Sequence, residues 1–233
     1  MVNCVVKADA EGEDGKGWKN GFWDGKRMVY GQDEFDGELR SFESNLDVVA
    51  HELFHGVISN TARLEYLYQT GALNESYADI FGILISNWGR ANIKKWDWKM
   101  GDGLSDDSKA TRDFSNPDSD ELNNPQVKHY DEFEGWRRNQ DKGGVHHFSG
   151  IHNYAAYRIM NATHKGRHIF KPNELAAIFY IALTQHLARQ ATFWASRRAV
   201  LLATRSYFRN LKPAALNIRV HAVERGFKAA GIG

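Results

Sequence analysis

The chain has little cysteine, no excess of either charge and no long apolar run. Its single cysteine, Cys4, excludes an intramolecular disulfide. The 30 Lys and Arg residues are balanced by 29 Asp and Glu residues, so electrostatics give no basis for binding nucleic acid or an anionic membrane surface. No run of about 18 or more apolar residues is present, and the sequence therefore predicts no membrane-spanning helix. A hydrophobic fraction of 42% and a charged fraction of 25% are those of an ordinary globular protein.

The N-terminal residues also lack the apolar core of a secretion signal, because residues 1–21 are polar, acidic and rich in glycine. Two explanations stay open. Either the protein is not exported through a cleaved signal, or a leader and a pro-segment precede this sequence in a longer precursor. We expect secretion as the mature part of such a precursor, with the cytoplasm as the alternative, since a single cysteine suits either compartment.

Two parts of the chain differ in the period of their hydrophobic residues. Between Gly21 and Gly31, aromatic and β-branched residues lie between Asp-Gly and Gly turn signals, which predicts a β-hairpin. From Leu46 onward apolar residues recur at helical spacing, and a second helical pattern covers residues 74–88. The later segments predict, in order, a long loop at 101–143, a helix from 144, and helices that begin at Pro172, near 193 and at Pro213.

The prediction is therefore an α+β fold, in which a small N-terminal β-hairpin region is followed by a mainly α-helical lobe. We divide the chain into a β-rich region at 1–45 and a helical domain at 46–233, and we expect the active-site cleft between them. A loop as long as 101–143 inside a compact domain usually has a function, so this segment is expected to be functional.

Residues 51–55 read His-Glu-Leu-Phe-His, an H-E-x-x-H motif inside the first predicted helix. Because an α-helix has about 3.6 residues per turn, His51 and His55 project from the same face, a spacing that suits two imidazole ligands of a tetrahedral zinc ion. Glu52 is offset along the helix and can approach an open metal position without occupying it. Short motifs of this kind also occur by chance in unrelated helices, so the motif alone leaves an ordinary helix as the alternative.

The next predicted helix carries two carboxylates one turn apart, Glu75 and Asp79. A helix, a turn and an antiparallel second helix would bring Glu75 beside the two histidines as a third zinc ligand. Asp79 would lie on the same face and accept the outer N–H of a ligand histidine, which fixes the orientation of the ring. A solvated helix face is the alternative, but apolar residues such as Ile80 indicate that this helix is half buried. Three ligands and one open position are the arrangement of a catalytic zinc.

Five stretches, in the same order, resemble the thermolysin-like neutral zinc metallopeptidases of the thermolysin and protealysin type: FWDGKRMVYG, DVVAHE, HELFHGV, GALNESYADIFG and DKGGVHHFSGI. The resemblance implies one catalytic zinc on His51, His55 and Glu75. It also implies an endopeptidase that hydrolyses the bond on the amino side of bulky hydrophobic residues, with Glu52 as general base on a zinc-bound water. The zinc aminopeptidases share the H-E-x-x-H motif and a distant glutamate, but their G-x-M-E-N stretch is absent from this sequence.

The resemblance further implies the residues that stabilise the oxyanion of the tetrahedral intermediate. His146, in the G-G-V-H stretch, would hydrogen-bond the oxyanion, Asp141 would orient this histidine, and Tyr66 would assist it. Arg112 would receive a substrate carbonyl. From the residues alone, Tyr66 would be a core aromatic and Arg112 a solvated loop residue. The nearby His152 is expected to pack against the core or to lie on the helix surface.

For substrate binding, the resemblance implies an edge strand and an apolar pocket. The strand that begins at Asn20 and Gly21 and includes Trp23 would pair with an extended substrate through main-chain hydrogen bonds. The family has alanine at position 21, a difference that should matter little because backbone groups do the binding. The pocket for the residue after the scissile bond would be lined by four apolar side chains: Leu39, Phe42, Val48 and Leu104.

The chain begins close to the predicted substrate-binding strand, so we expect most of the family's N-terminal β-rich lobe to be missing or supplied separately. The expected partners are a peptide or protein substrate and a propeptide or separate N-terminal lobe; nucleic acid and membrane are not expected, and the protein should be a monomer. Two rival interpretations stay open: a catalytically silent zinc-binding module, and a fragment that binds no metal until it meets its missing lobe. Glu52 and His146 argue against a silent module, which needs neither.

Calcium is expected to be absent or weakly bound. In calcium-binding relatives, acidic side chains converge from before the first ligand helix, from the second ligand helix and from the loop that follows. This chain keeps Asp47, Asp97 and Asp102 but has Ser86 and Lys99 where two further acids would stand. Because calcium takes about 6–8 oxygen ligands, losing two carboxylates removes much of the charge that holds it. Lys99 would offset the repulsion among the remaining acids; alternatively, it points to solvent and one weak calcium persists.

Overall fold

The computed structural model describes residues 3–6, 21–35, 38–104 and 109–233. Within these ranges a small β part is followed by a mainly helical part, which confirms the α+β prediction. No described helix is long and apolar enough to cross a membrane. The strands are β1 (Asn3–Val6), β2 (Gly21–Trp23), β3 (Arg27–Tyr30), β4 (Gln32–Phe35), β5 (Glu38–Ser41), β6 (Lys99–Met100), β7 (Arg112–Asp113), β8 (Thr163–His164) and β9 (Arg167–His168). The helices are α1 (Leu46–Asn60), α2 (Tyr68–Ser86), α3 (Asp141–Met160), α4 (Pro172–Ile181), α5 (Phe193–Tyr207) and α6 (Pro213–Ala229).

The β part contains a three-stranded sheet in the order β1-β3-β2. Strand β1 is parallel to β3, and β2 is antiparallel to it, with Gly21 opposite Tyr30. The turn between β2 and β3 is held by Asp24, whose carboxylate accepts two backbone N–H groups of the turn. The predicted hairpin is therefore present, and β2 is the edge strand of the described sheet. Asn20 lies outside the described residues. A second hairpin, β4–β5, is one that the sequence does not predict.

Helix α2 forms the centre of the helical part and is buried on every side from Gly71 to Leu84. It packs between α1 and α3, and the approach of α3 is close, since a Cβ added at Gly71 would lie 2.3 Å from a methyl carbon of Val145. The prediction of a half-buried helix over 74–88 is wrong on two points, because α2 begins at Tyr68 and has no solvent-facing stripe. Its polar residues Asn74, Glu75, Ser76 and Asp79 are buried together with the apolar ones, and they have polar partners inside the fold.

The other predicted segments agree with the structure. Helices α4 and α6 begin at prolines, as the sequence predicts, because proline suits the first position of a helix. Helix α5 begins at Phe193. The described part of the segment 101–140 has little regular structure, namely β7 and a short 3₁₀ turn at Tyr130–Glu132. This long connection therefore runs as a loop into the start of α3.

A polar network lies inside the helical core. His152 in α3 is fully buried, and its two ring nitrogens lie 2.7 Å from the Ser76 hydroxyl and 2.8 Å from the Ser196 hydroxyl. The Ser196 hydroxyl is also 2.9 Å from that of Tyr77. Burial lowers the pKa of His152 to about 3, so the ring is neutral at neutral pH. Of the two expectations for His152, packing is confirmed and a place on the helix surface is wrong.

Candidate zinc centre and active-site cleft

The three predicted ligands come together between α1 and α2. The Nε2 atoms of His51 and His55 lie 3.0 Å apart, and oxygens of Glu75 lie 3.5 Å from the first and 3.4 Å from the second. These residues form a candidate metal cluster in the part of the chain that the structure describes. On a tetrahedral zinc ion with bonds of about 2.0–2.2 Å, neighbouring ligand atoms lie about 3.3–3.6 Å apart. The donor types and the two nitrogen–oxygen distances therefore fit zinc, and the two rings need to separate only slightly.

Each ligand histidine has a buried oxygen of α2 beside its outer nitrogen. Asp79 Oδ1 lies 2.7 Å from His51 Nδ1, the arrangement that the spacing predicts. Asn74 Oδ1 lies 2.8 Å from His55 Nδ1, and the Asn74 amide donates to a backbone carbonyl at 3.1 Å. Such partners fix the tautomer and the orientation of the rings. The sequence does not predict the part played by Asn74, and its position directly before Glu75 is the only signal that points to it.

The charges of the cluster favour a bound cation. Burial raises the pKa of Glu75, but His146, His55 and His51 more than offset this effect and hold that pKa well below its usual value. Burial lowers the pKa of His55, yet the Glu75 carboxylate raises it overall to about 9. The negative charge of Glu75 is thus balanced by protons on its neighbours. A metal ion would take the place of these protons, because histidine binds metal in its deprotonated form.

Glu52 lies beside the cluster, between α1 and the edge strand β2. Only 7% of its surface is exposed, and it lines the same pocket as His51 and Gly21. The approach to β2 is close, since a Cβ added at Gly21 would lie 3.5 Å from Glu52 Cγ. The carboxylate therefore stands next to a ligand histidine and next to the strand that is expected to hold the substrate, which suits a general base.

Tyr66, His146 and Asp141 form a chain of polar contacts on the other side of the cluster. The Tyr66 hydroxyl donates to Glu75 and lies 3.1 Å from His146 Nε2. Asp141 Oδ1 lies 2.5 Å from His146 Nδ1, and Asp141 Oδ2 accepts the backbone N–H of His146 at 2.8 Å. Asp141 thus holds both the ring and the backbone of His146. Tyr66 is 36% exposed, so it lies at the surface of the cleft rather than in the core.

An unusual backbone turn brings His146 to the cleft. The four residues Asp141–Gly144 all have positive φ, between 46° and 88°, so the regular part of α3 begins at Val145. At Gly143 and Gly144 an added Cβ would lie 2.2 Å and 2.4 Å from aromatic side chains, in addition to the strain of a left-handed conformation. Only glycine satisfies both conditions, which explains the Gly-Gly pair of the sequence motif.

Arg112, in β7, reaches the zinc ligands from the long loop. Its guanidinium donates to Asp79 and, at 3.4 Å, to Glu75. The side chain is 12% exposed, so the alternative of a solvated loop arginine is wrong. Its Nε–H is buried and has no hydrogen-bond partner among the described residues. A buried donor without a partner costs about 1–3 kcal/mol, so this N–H is a polar group for which the described residues supply no acceptor.

A pocket named here the apolar pocket opens beside His51 and Glu52. Three of the four predicted side chains line it: Phe42, Val48 and Leu104. The side chain of Leu39 lies outside the described part of the structure. The sequence does not predict three further lining residues: Met100, Gly101 and Thr111. Trp23 instead packs on α1, where a Cβ added at Gly56 would lie 3.3 Å from its ring.

The side chains on which the calcium prediction depends are Asp47, Asp97, Asp102, Ser86 and Lys99. Asp47 is buried, which raises its pKa, and its carboxylate accepts a backbone N–H at 2.8 Å. Lys99 is exposed and makes no ion pair with Asp47, Asp97 or Asp102. Lys99 therefore points to solvent, as the alternative has it, and does not offset the acids directly. The Ser86 hydroxyl donates to a carbonyl of its own helix. The weak or absent binding of calcium stays a prediction.

The described residues thus bring together a candidate His₂Glu metal cluster, a carboxylate beside it and a tyrosine–histidine pair opposite. The sequence matches the family model described as "Thermolysin metallopeptidase, catalytic domain" over residues 2–59. It matches the model described as "Thermolysin metallopeptidase, alpha-helical domain" over residues 62–232. The chain belongs to the thermolysin metallopeptidase family.

Individual relatives agree with this membership. Bacillolysin of Brevibacillus brevis is 38% identical over 226 residues, which cover 92% of this chain and 38% of that protein. Thermolysin of Alicyclobacillus acidocaldarius is 34% identical over 227 residues, which cover 94% of this chain and 38% of that protein. The precursor of protealysin, a metalloproteinase from Serratia proteamaculans, has a similar structure, with a TM-score of 0.80, 28% identity, and coverage of all of this chain and 69% of that one. The chain thus spans under two-fifths of the length of the two curated relatives.

Proposed function

We propose that the protein is a zinc-dependent endopeptidase that hydrolyses peptide bonds on the amino side of bulky hydrophobic residues. The observation that carries this proposal is the apolar pocket beside His51 and Glu52, which would take the residue after the scissile bond. Arg112 borders the pocket, but Asp79 and Glu75 already engage its charge. A charged substrate side chain would lose its water in this pocket without gaining a partner, so apolar side chains should bind better.

Glu52 acts as the general base. A zinc ion on His51, His55 and Glu75 would supply Lewis-acid chemistry, polarising the attacking water and the scissile carbonyl. Glu52 takes a proton from the attacking water and later delivers it to the leaving amine. Its offset from the two histidines along α1 keeps the carboxylate out of the ligand set, and its burial against β2 holds it near the scissile bond.

Tyr66 and His146 stabilise the oxyanion. Burial and the Glu75 carboxylate raise the pKa of Tyr66, so its hydroxyl stays protonated and can donate. Burial lowers the pKa of His146, but Glu75 and Asp141 more than offset this effect, which favours the protonated imidazole. Asp141 accepts from Nδ1, so Nε2 is left to donate to the oxyanion. One donor of this kind is typically worth about 10²–10³ in kcat.

The edge strand and the arginine bind the substrate backbone. We assign pairing with an extended substrate to the strand that begins at Asn20 and Gly21 and includes Trp23. Arg112, which lines the apolar pocket, would receive a substrate carbonyl. Leu39 would complete the apolar pocket. Asp79 acts indirectly, because it lies against the outer nitrogen of His51 and would hold that ligand in place.

We also propose that residues 1–45 form a β-rich region with the substrate-binding strand and that residues 46–233 form the helical catalytic domain. This division keeps α1 and α2, and with them all three ligands, in one unit. The protein would act as a monomer on peptides or proteins. The similarity to a protealysin precursor supports a propeptide or a separate lobe as a partner.

The first experiment measures zinc in the purified chain and then hydrolysis of a quenched fluorescent peptide that contains one bulky hydrophobic residue. The proposal expects one zinc per chain and hydrolysis that a chelator abolishes and added zinc restores. Zinc without hydrolysis would indicate a silent module, and neither zinc nor hydrolysis would indicate a fragment that needs another lobe. Glu43→Gln is the matched control for Glu52→Gln, since Glu43 is an exposed carboxylate near the start of α1 and its variant should keep full activity.

A further inference from the structure

Beyond Tyr66 lies a second depression, the basic depression, whose two cations the proposed mechanism does not use. Six residues line it: Tyr66, Leu67, Arg138, Asn139, Asp141 and Lys142. Arg138 and Lys142 make no ion pair with any described residue. Asp141, the one acid in this lining, directs both carboxylate oxygens to His146. The basic depression therefore holds positive charge that no acid of the described chain neutralises.

Lys142 occupies a backbone position that a lysine rarely adopts. Its φ is 50°, in the left-handed region, which costs a residue other than glycine roughly 1–2 kcal/mol. Its ammonium lies 5.6 Å from the centre of the Tyr66 ring, within the range of a cation–π contact. Asparagine or glycine adopts this left-handed conformation more readily, so the turn itself gives no reason for a lysine. The ammonium is instead held at the rim of the catalytic cleft.

The apolar pocket and the basic depression lie beside different zinc ligands. His51 and His55 are about 6 Å apart along α1, because each residue of a helix rises about 1.5 Å. The apolar pocket borders His51. Tyr66 lies against His55, with ring centroids 6.0 Å apart, and the basic depression begins at Tyr66. If the residue after the scissile bond enters the apolar pocket, residues before that bond extend toward the basic depression.

We propose that Lys142 and Arg138 form a subsite for acidic side chains of the substrate, one or two residues before the scissile bond. This inference rests on the proposed endopeptidase function and deepens it, since it names the second determinant of specificity. The attraction is between exposed charges, so it should be modest. A glutamate in this place should raise kcat/KM about 2–5-fold over glutamine, the range of an exposed ion pair, and salt should weaken the effect.

The test uses pairs of peptides that share one bulky hydrophobic residue after the scissile bond and differ only by Glu or Gln one or two residues before it. The readout is the ratio of kcat/KM for the two peptides, which cancels any general loss of activity. The variants are Lys142→Asn, which removes the charge and suits the left-handed backbone, Arg138→Gln, and the double variant. Arg137→Gln is the matched control, because it removes an exposed neighbouring cation that does not line the basic depression.

The inference expects a Glu-to-Gln ratio above about 2 in the wild type and in Arg137→Gln, and a ratio near 1 in the double variant. Lys142→Glu should lower the ratio below 1, and about 0.5 M salt should bring the wild-type ratio toward 1. A wild-type ratio near 1, or a ratio that survives in the double variant, overturns the subsite while the endopeptidase function stands. Failure to hydrolyse either peptide overturns the proposed function, and the subsite with it.

Discussion

Mild acid should destabilise this protein through His152. In the folded chain burial lowers the pKa of this ring to about 3, whereas in the unfolded chain it titrates near about 6.5. As the pH falls, the unfolded chain takes up the proton first, so protonation favours unfolding. The neutral buried ring therefore makes its full contribution to the free energy of unfolding above about pH 6.5, and this contribution is lost as the pH falls toward about 3.

The size of this effect follows from the two pKa values. Between pH 7.5 and pH 5, linkage removes about 2 kcal/mol from the free energy of unfolding. The figure hardly depends on the folded value, because a ring with any pKa below about 4 is almost unprotonated at pH 5. The surroundings explain the shift: Ser76, Tyr77, Ser196 and two phenylalanine rings enclose His152, and none of them offers a carboxylate to pair with an imidazolium.

The measurement compares urea unfolding of His152→Gln with the parent protein at pH 7.5, 6.5 and 5. Both proteins carry Glu52→Gln, which should prevent self-digestion. The variant should be less stable than the parent at pH 7.5. The difference between their free energies of unfolding, which we call the gap, should be about 2 kcal/mol smaller at pH 5, because the other histidines and the bound zinc are common to both proteins. His221→Gln, which replaces an exposed histidine, is the control. The difference in free energy of unfolding between this variant and the parent should be the same at all three pH values. A gap for His152→Gln that changes by less than about 0.5 kcal/mol, the usual error of such differences, would refute the reasoning.

Four further perturbations test the centre itself. Glu52→Gln should lower hydrolysis about 10²–10⁴-fold while zinc stays bound, because the amide cannot take up the proton; residual activity above about 1% in peptide kinetics would count against the general base. Glu75→Ala should lose the metal, and full zinc occupancy by metal analysis would remove Glu75 from the ligand set. His146→Ala should lower kcat about 10²–10³-fold with little change in zinc content, whereas an effect on KM alone would make His146 a ground-state binding residue. Excess calcium should not raise Tm, and a calcium-selective chelator should not lower it; a large calcium-dependent rise would mean that the remaining acids still hold the ion.

The ligand set could be predicted because every step toward it is local. The spacing of His51 and His55 follows from helical periodicity, and the same periodicity puts Asp79 one turn after Glu75. A short connection between two helices then suffices to bring the second pair of residues to the first. In the structure Glu75 and Asp79 lie within a few ångströms of the two histidines. The only tertiary assumption needed is that α1 and α2 pack side by side.

What the sequence does not predict depends on contacts between distant segments. The burial of α2 on every side depends on its neighbours α1 and α3, and α3 approaches so closely that Gly71 has no room for a side chain. Asn74 has a role only because His55 faces it across that packed interface. The left-handed turn at Asp141–Gly144 depends on aromatic rings from elsewhere in the fold. None of these features has a periodic signal, so pattern alone cannot reveal them.

The burial of residues 71–84 in α2 would shield this stretch from cleavage by other copies of the proposed endopeptidase. An endopeptidase that binds its substrate along an edge strand needs that substrate extended, and residues 71–84 offer neither an extended backbone nor an accessible one. Under the proposed function, self-cleavage would be directed to segments with little regular structure, such as residues 114–129. Because Glu75 lies within the buried stretch of α2, an encounter between two molecules would cut such a loop before it reached this metal ligand. Burial in the core of the fold would thus protect the ligand against autolysis.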